Sequence, residues 1–544
     1  MISRRNLVAA ALAAASLTAA PMAAAQTPTR AETLQAMKRA TQFMVEKVAY
    51  RGGYLWSYLP DMSRRWGELE AKPTMVWVQP PGTGTMGHLF LDAYHATGEE
   101  YYYRAAQAAA DALIKGQDPS GGWNYIIDFA GPKSLQSWYD TYGANAWRME
   151  EFQHNWKNGT FDDAGTSEAM QFLLRLYLEK KEARYKPALD KAIAFVLDSQ
   201  YPIGGWPQRW PLRVKDMKDG KPDYTRYITF NDDVAGENIK FLVMVRQSLP
   251  DAKLRERVDD ALIRAMNSFI VTHQGQPQPG WGLQYTLDLQ PAGARSYEPK
   301  ALVTHTTAAN LDQLMNFYEL TGDTKFLARI PEALAWLEQV KLPARVGNRT
   351  HPTFIEIGTN RPMYVHRRGS NVVNGEYYVD YSPEKTLGHY SAYRAVNIES
   401  LRRRYERLRT SDPVQVSRDS PLKRTGLVPL PRYFANADIQ TSDLNSSRTE
   451  DAASPETATR AAELIRALNA QGWWPTPLRS TSNPYRGPGP KTPPPGDYST
   501  THVGDASDTS PYPTDNPVTG ISTGTYIQNM GVLIEHLDST GRRL

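Results

Sequence analysis

The chain has 544 residues, enough for two to four domains or for one large toroid or barrel. With 41% hydrophobic, 22% charged and 10% aromatic residues it has a globular composition, which excludes extended disorder. A formal charge of +4 falls far short of the basic excess that nucleic-acid binding exploits, and the absence of cysteine removes disulfides, thiolate metal sites and cysteine nucleophiles.

The first element is a leader. Arg4 and Arg5 precede an apolar run from Leu7 to about Ala20, and Ala23-Ala24-Ala25 supplies a small-residue cleavage site. The run is too short for a membrane span of about 20 residues, so residues 1–25 are read as a signal peptide. Ser3-Arg4-Arg5-Asn6-Leu7 also resembles a twin-arginine export signal, and both Sec and Tat routes stay open. The mature protein is expected in the periplasm or secreted, as a monomer with no membrane contact.

Apolar residues then fall at helical spacing in successive pairs of segments. One pair is Met86 to Tyr94 followed by Tyr101 to Ile114. The next runs Met170 to Tyr177 and Leu189 to Leu197, and a third Ile239 to Val243 and Val258 to Phe269. A fourth is predicted at Thr304 to Tyr318 and Thr324 to Val340. After the first three pairs the chain repeats itself, with Gly121-Gly122-Trp123, Gly204-Gly205-Trp206 and Gly280-Trp281-Gly282, and Gly472-Trp473-Trp474 is a late echo. Trp spacings of 83 and 75 residues suit helix hairpins with long loops. Hairpins of this kind bury their stripes most economically in a ring of inner and outer helices, so the predicted fold is all-α, an α/α toroid. Beyond about Leu408 the sequence turns polar, with helices expected at Thr457 to Leu468 and Thr525 to Leu537. Eleven prolines between Pro475 and Pro517 exclude regular helix there. The predicted organisation is a leader over 1–25, a toroid domain over 26–408 and an irregular, Pro-rich C-terminal extension over 409–544.

Gly82-Thr83-Gly84-Thr85-Met86-Gly87 has dinucleotide-fingerprint spacing but follows Pro80-Pro81 and lacks a βαβ setting, so it is read as a glycine-rich helix entry. No His-Glu-x-x-His or Gly-x-Ser-x-Gly sequence occurs. Two acidic loops open first helices of hairpins: Phe161-Asp162-Asp163-Ala164 and Phe230-Asn231-Asp232-Asp233. Their carboxylates suit N-caps; converging on one rim, Asp162, Asp163 and Asp232 equally suit a hard cation such as Ca2+. Ala294-Arg295-Ser296-Tyr297-Glu298-Pro299 precedes the fourth pair. There Arg295 would hold an anionic substrate, or pair with Glu298. Trp206, Trp210, Tyr227, Trp281 and Tyr285 crowd the same loops, where stacking on sugar rings and core packing are both open, with packing expected for Trp206 and Trp281.

Gly204-Gly205-Trp206-Pro207-Gln208, Tyr227-Ile228-Thr229-Phe230-Asn231-Asp232 and the Arg295 motif together resemble the family-10 pectate lyases over about residues 45–405. The resemblance implies an α/α toroid that cleaves an anionic polysaccharide, polygalacturonate or a related uronate polymer, by calcium-assisted β-elimination. It places Arg295 at the family's proton-abstracting arginine and Asp162, Asp163 and Asp232 at its aspartate motifs. Asn231, Arg361 and Arg367, with Trp210 and Tyr227, become candidates for substrate binding. Thr353 stands where the family carries an arginine that binds substrate carboxylate. The elimination depends on neutralising charge that grows on the uronate carboxylate as the C5 proton leaves. A base role for Arg295 demands a strongly perturbed guanidinium and alkaline conditions; a purely electrostatic role does not. A hydrolase using Asp163 and Asp232 as acid and base, or a non-catalytic polymer-binding protein, are the alternatives.

Overall fold

The computed structural model describes residues 27–143, 150–213, 223–368, 376–386, 390–435, 440–444, 455–478 and 518–541. The leader, with its cleavage site, and the Pro-rich stretch over 479–517 lie outside the described residues.

The helices in chain order are α1 (Arg30–Phe43), α2 (Thr83–Thr97), α3 (Glu100–Gly116), α4 (Pro132–Tyr139), α5 (Gly165–Lys180), α6 (Lys186–Ser199), α7 (Val234–Ser248), α8 (Ala252–Thr272), α9 (Thr304–Thr321), α10 (Ile330–Gln339) and α11 (Ile398–Arg409). They are followed by α12 (Pro413–Val416), α13 (Thr441–Leu444), α14 (Pro455–Ala467) and α15 (Thr523–Gly541). Local chemistry sets several ends. Thr29 and Glu32 form a capping box at α1, the Asp251 side chain accepts from Leu254 N–H at α8, and left-handed Gly98 closes α2.

These helices form an α/α toroid, as the hairpin stripes imply. The inner helix α2 packs on α5 and α5 on α7, while α9 reaches α8, α10 and α11. The chain end completes the ring: α15 packs on α1, α2 and α14, and the Thr523 N–H and hydroxyl donate to Trp56 O and Leu55 O. Leu408, Phe434, Trp474, Ile527 and Leu533 share one hydrophobic cluster with Met86, Leu173 and Leu242. Among the described residues no helix is long and apolar enough to cross a membrane.

The Gly-Trp repeat is the joint between neighbouring hairpins. Trp123, Trp206, Trp281 and Trp474 each donate the indole N–H to a carbonyl near the end of the preceding outer helix: Leu113, Val196, Phe269 and Leu464, at 2.8, 2.8, 3.1 and 2.9 Å. The late Trp474 is therefore in step with the others. Gly121 and Gly204 take φ of +107° and +105°, and a Cβ on them would lie 2.1 and 2.0 Å from the carbonyl oxygens of Lys191 and Arg264 on the next outer helix. Only glycine combines that φ with that approach. Gly204→Ala is expected to cost about 2 kcal/mol or more in stability, read as a lowered melting temperature with activity per folded molecule unchanged. Gly84 and Gly87 in the helix entry do similar work, letting Glu168 and Phe172 of α5 press against α2.

One predicted helix is cut. Instead of Thr324 to Val340, a 3-10 turn covers Thr324–Phe326 and α10 begins at Ile330. Pro331 explains it, because its ring would clash with the carbonyl of Leu327 in a continuous helix. The polar stretch after Leu408 also proves ordered over 417–435, across the ends of the inner helices that point away from the acidic loops. Arg246 of α7 donates to the carbonyls of Pro421 and Leu422. Buried Asp92 of α2 pairs with Arg175 of α5 at 2.7 Å and accepts the N–H groups of Phe434 and Ala435 at 3.0 and 2.8 Å.

Candidate active site

Short strands feed the acidic loops. Gly159–Thr160 pairs with Arg209–Trp210, and Ile228–Thr229 pairs with Gln284–Tyr285, which in turn pairs with Pro291–Ala292. This last ladder carries the chain to Arg295 alongside the second acidic loop. The two loops repeat one backbone shape: Asp163 and Ala164 have φ of +50° and +55°, as do Asp232 and Asp233. Asp163 and Asp232 are thus structural equivalents, and Asn231 is the counterpart of Asp162. Two consecutive left-handed residues without glycine are costly and typical of sites where geometry serves function. The N-cap residues of α5 and α7 are Ala164 and Asp233, so Asp162, Asp163 and Asp232 themselves do not occupy the N-cap position.

Arg295 lies at the centre, 4% exposed. Its Nη2 donates to Asp162 Oδ2 at 2.5 Å and Nη1 to Glu298 Oε1 at 2.8 Å, while Nε is 3.1 Å from Glu151 Oε2. Glu298 Oε2 accepts the Arg295 backbone N–H at 2.9 Å, which fixes the loop. Beneath it a small cluster of Leu283, Tyr297, Val303, Phe354 and Val365 holds the segment in place. The ion pair with Glu298 does exist, but it is buried and shared among three carboxylates.

Asp162 is fully buried. Its Oδ2 accepts from Tyr125 Oη at 2.6 Å as well as from Arg295, and among the described residues its Oδ1 has no hydrogen bond. Asp162, Asp163 and Asp232 each present an oxygen, all within 4.8 Å of one another; Glu68, Glu151 and Asp163 form a second such group. Gln79 ties the two together, donating to Asp163 at 2.8 Å and Glu68 at 3.0 Å. The electrostatics follow from this crowding. Burial and the neighbouring Asp232 and Asp162 push Asp163 well above the usual carboxylate range, and burial with Asp162 raises Asp232 to about 7. Burial likewise raises Glu151 to about 7 despite Arg295. In Asp162 burial is outweighed by Arg295 and the Tyr125 hydroxyl, and its pKa is lowered. Burial alone would depress Arg295, but Asp162, Glu151 and Glu298 hold it well above its ordinary value. Clustered hard oxygens that resist joint ionisation, one of them unpaired, fit a hard divalent cation, whose binding would expel the shared protons.

The other candidates are placed less uniformly. Asn231 joins the cluster, donating to Asp232 Oδ2 at 2.8 Å and to Tyr390 Oη at 3.3 Å. Trp210 and Tyr227 are half-buried on the loop strands, whereas Trp206, Trp281 and Tyr285 are fully buried and pack the core. Arg361 is exposed and stacks on Tyr381 at 3.5 Å, with no contact to the Arg295 cluster among the described residues. Arg367 pairs with Tyr377 in the hairpin ladder, and its side chain lies outside the described residues. Thr353 is fully buried, its hydroxyl donating to Ser391 O at 2.6 Å, so it serves the local backbone. Glu151, Tyr125, Gln79 and Tyr390 were not singled out from sequence. They lie in no motif and reach the site only through the fold.

The toroid of helix hairpins thus carries a buried arginine among clustered carboxylates on its rim. The family model for pectic acid lyase matches residues 128–353, the segment that carries all three aspartates and Arg295, in agreement with the resemblance read from the motifs. No curated protein matches the chain. Among solved structures, a family 10 polysaccharide lyase from Cellvibrio cellulosa is similar at 20% identity, over 60% of this chain and 93% of that one, with a TM-score of 0.37. A mutant of that lyase, in complex with trigalacturonic acid, gives 20% identity, 60% and 98% coverage and a TM-score of 0.41. The type II terpene cyclase MstE from Scytonema is similar at 13% identity, over 94% of this chain and 99% of that one, with a TM-score of 0.30.

Proposed function

We propose that this chain is an exported pectate lyase, cleaving polygalacturonate or a related uronate polymer by calcium-assisted β-elimination to 4,5-unsaturated products. The observation that carries the reading is the Arg295 guanidinium, buried against Asp162 beside the Asp162, Asp163 and Asp232 oxygens. Those three aspartates would hold the calcium. An ion held there would supply positive charge to the substrate carboxylate.

In the elimination the C5 proton passes to a base, either Arg295 in its neutral form or a water molecule, the C5–H electron pair becomes the C4–C5 double bond, and the C4–O bond breaks with its oxygen taking up a proton from water. Arg295 is the residue assigned to C5. Held charged by Asp162, Glu151 and Glu298, it neutralises the charge that grows on the uronate carboxylate. To accept the C5 proton itself it must first lose its own, which those carboxylates oppose, so a base role brings an alkaline optimum. Asn231 orients Asp232, while Trp210 and Tyr227 offer half-buried ring faces to sugars, and Arg361 and Arg367 meet the polymer further along. The mature protein begins after residue 25 and works in the periplasm or outside the cell, as a monomer. Residues 26–408 carry the site residues, and the segment after 408 serves the same toroid by supplying α14 and α15, which close the ring.

The test is a panel of uronate polymers assayed for the short-ultraviolet absorbance of an unsaturated uronide, with and without chelator. Absorbing product on polygalacturonate or a close relative, lost in chelator and restored by calcium, is expected. New reducing ends without the chromophore would mean hydrolysis and sink the reading.

A further inference from the structure

The Gly-Trp repeat has an earlier member in which tyrosine replaces the tryptophan. Gly52-Gly53-Tyr54 precedes α2 as Gly121-Gly122-Trp123 precedes α5, and a Cβ on Gly52, whose φ is +84°, would lie 2.2 Å from Ala108 O on α3. The register that follows is the same in three successive hairpins. Trp77, Thr160 and Thr229 donate their backbone N–H to the carbonyls of Tyr54, Trp123 and Trp206, at 2.8, 2.8 and 2.9 Å. The Thr83 hydroxyl accepts the Tyr54 N–H at 3.0 Å and the Thr166 hydroxyl the Trp123 N–H at 2.9 Å, so α2 and α5 begin in step. Two positions beyond the three N–H donors stand Gln79, Asp162 and Asn231. Gln79 is therefore the first hairpin's counterpart of two residues already placed in the site, and it lies outside the segment that the pectic acid lyase model matches.

The orientation of its amide is fixed. Gln79 is 4% exposed, and its Oε1 accepts the Trp77 indole N–H at 2.8 Å. An indole nitrogen only donates, so the Nε2 end is the one turned to the carboxylates. It donates to Asp163 Oδ2 at 2.8 Å and to Glu68 Oε2 at 3.0 Å. The Gln79 carbonyl accepts the Trp56 indole N–H at 3.0 Å, which pins the backbone as well. In the third hairpin Asn231 serves its own loop, its amide donating to Asp232 Oδ2 at 2.8 Å. In the first hairpin Pro80-Pro81 fills the place of the acidic pair, so Gln79 has no acid of its own loop and reaches across to the next. Asp163 and Asp232, the two equivalent left-handed aspartates, thus each have one oxygen held by an amide, and the two amides occupy equivalent positions.

We propose that Gln79 is a positioning residue for the cation: it locks Asp163 in the rotation that presents an oxygen to Asp162 and Asp232, and Trp77 in turn locks Gln79. The proposal rests on the calcium reading above. A ligand already held by an outer hydrogen bond loses less freedom when the ion arrives, and such partners are worth roughly 10- to 100-fold in metal affinity. Gln79 acts through Asp163, while Arg295 acts at the reacting carbon.

The experiment titrates calcium calorimetrically into the full chain and its Gln79→Met and Gln79→Asn variants, each at a temperature where circular dichroism shows it folded. Gln79→Met keeps the length and loses the donor, and its Kd for calcium is expected to rise at least tenfold. Gln79→Asn keeps the amide but is one methylene short of spanning Trp77 and Asp163, and should fall between. In the ultraviolet assay the calcium concentration for half-maximal activity should rise by the same factors. A merely structural role lowers the melting temperature of the calcium-free protein and leaves Kd in Gln79→Met within threefold of wild type, and that result overturns the proposal. Should Gln79→Met fail to fold, Gln79→Asn decides alone: at least a threefold loss is expected, and an unchanged Kd overturns it. Wild type that binds calcium no better than the variants defeats this proposal alone. Wild type that binds none defeats the calcium reading with it, and absorbing product in the same assay then leaves the lyase reading standing.

Discussion

Arg295→Ala is expected to lower the yield of unsaturated product by at least about a hundredfold, the scale on which loss of one preorganised charge or donor acts. The variant removes a partner from Asp162, Glu151 and Glu298 at once, and breaking a buried ion pair from one side costs about 3–5 kcal/mol. Part of that cost is relieved because Glu151 already titrates near 7 and can take a proton instead. Circular dichroism and a melting curve are therefore read beside turnover. Arg295→Lys keeps one charge and loses the fork that reaches Asp162 and Glu298 together; it should retain the fold better and remain severely impaired. The pH profile separates the two roles. If neutral Arg295 accepts the proton, the rate rises about tenfold per pH unit through the alkaline range, since the neutral fraction does so below the raised pKa; a charge role leaves the rate flat there. Glu298→Gln supplies the control. If Arg295 serves only as Glu298's partner, both variants lose the same modest stability and turnover on the best uronate substrate stays near normal, which would refute the assignment at this site.

Helical spacing made the hairpins legible because the stripes at Met86, Met170 and Ile239 are local signals that survive into the fold. The Gly-Trp repeat was legible for the same reason, and its structural meaning, an indole bonded to the preceding helix and a glycine pressed on the next, explains why both residues recur together. Acidic loops and the arginine could be named from their motifs. What joins them could not: Tyr125 lies 37 residues before Asp162 and Tyr390 lies 92 after Glu298, and only the ring brings them together. The stretch over 417–435 looked featureless because it binds through backbone carbonyls and N–H groups, which leave no trace in residue type. Pro331 is visible in the sequence and ends the helix expected from Thr324, while α1 and α11 carry no signal that the hairpin repeat would have picked out.

Asp232→Asn is expected to abolish the response to calcium while leaving the calcium-free protein as stable as wild type, or more so. The reason is the crowding: Asp232 is raised to about 7 chiefly by burial and by Asp162, so in the absence of a cation its charge is a liability to the fold. Asp162→Asn should behave differently. Its Oδ2 anchors both Arg295 and the Tyr125 hydroxyl, so the substitution weakens a buried pair and lowers the melting temperature even without metal. Both variants should lose the calcium-dependent rise in melting temperature, which for wild type corresponds to about 2.7 kcal/mol at a hundredfold excess over Kd. That readout needs no turnover and so tests the metal site apart from the reaction. Asp163, the structural counterpart of Asp232 in the repeated loop, also receives the Gln79 amide, and Asp163→Asn should share the calcium phenotype. A wild-type melting temperature indifferent to calcium, together with full activity in chelator, would leave these aspartates without a metal role and return the strained loops to a purely structural one.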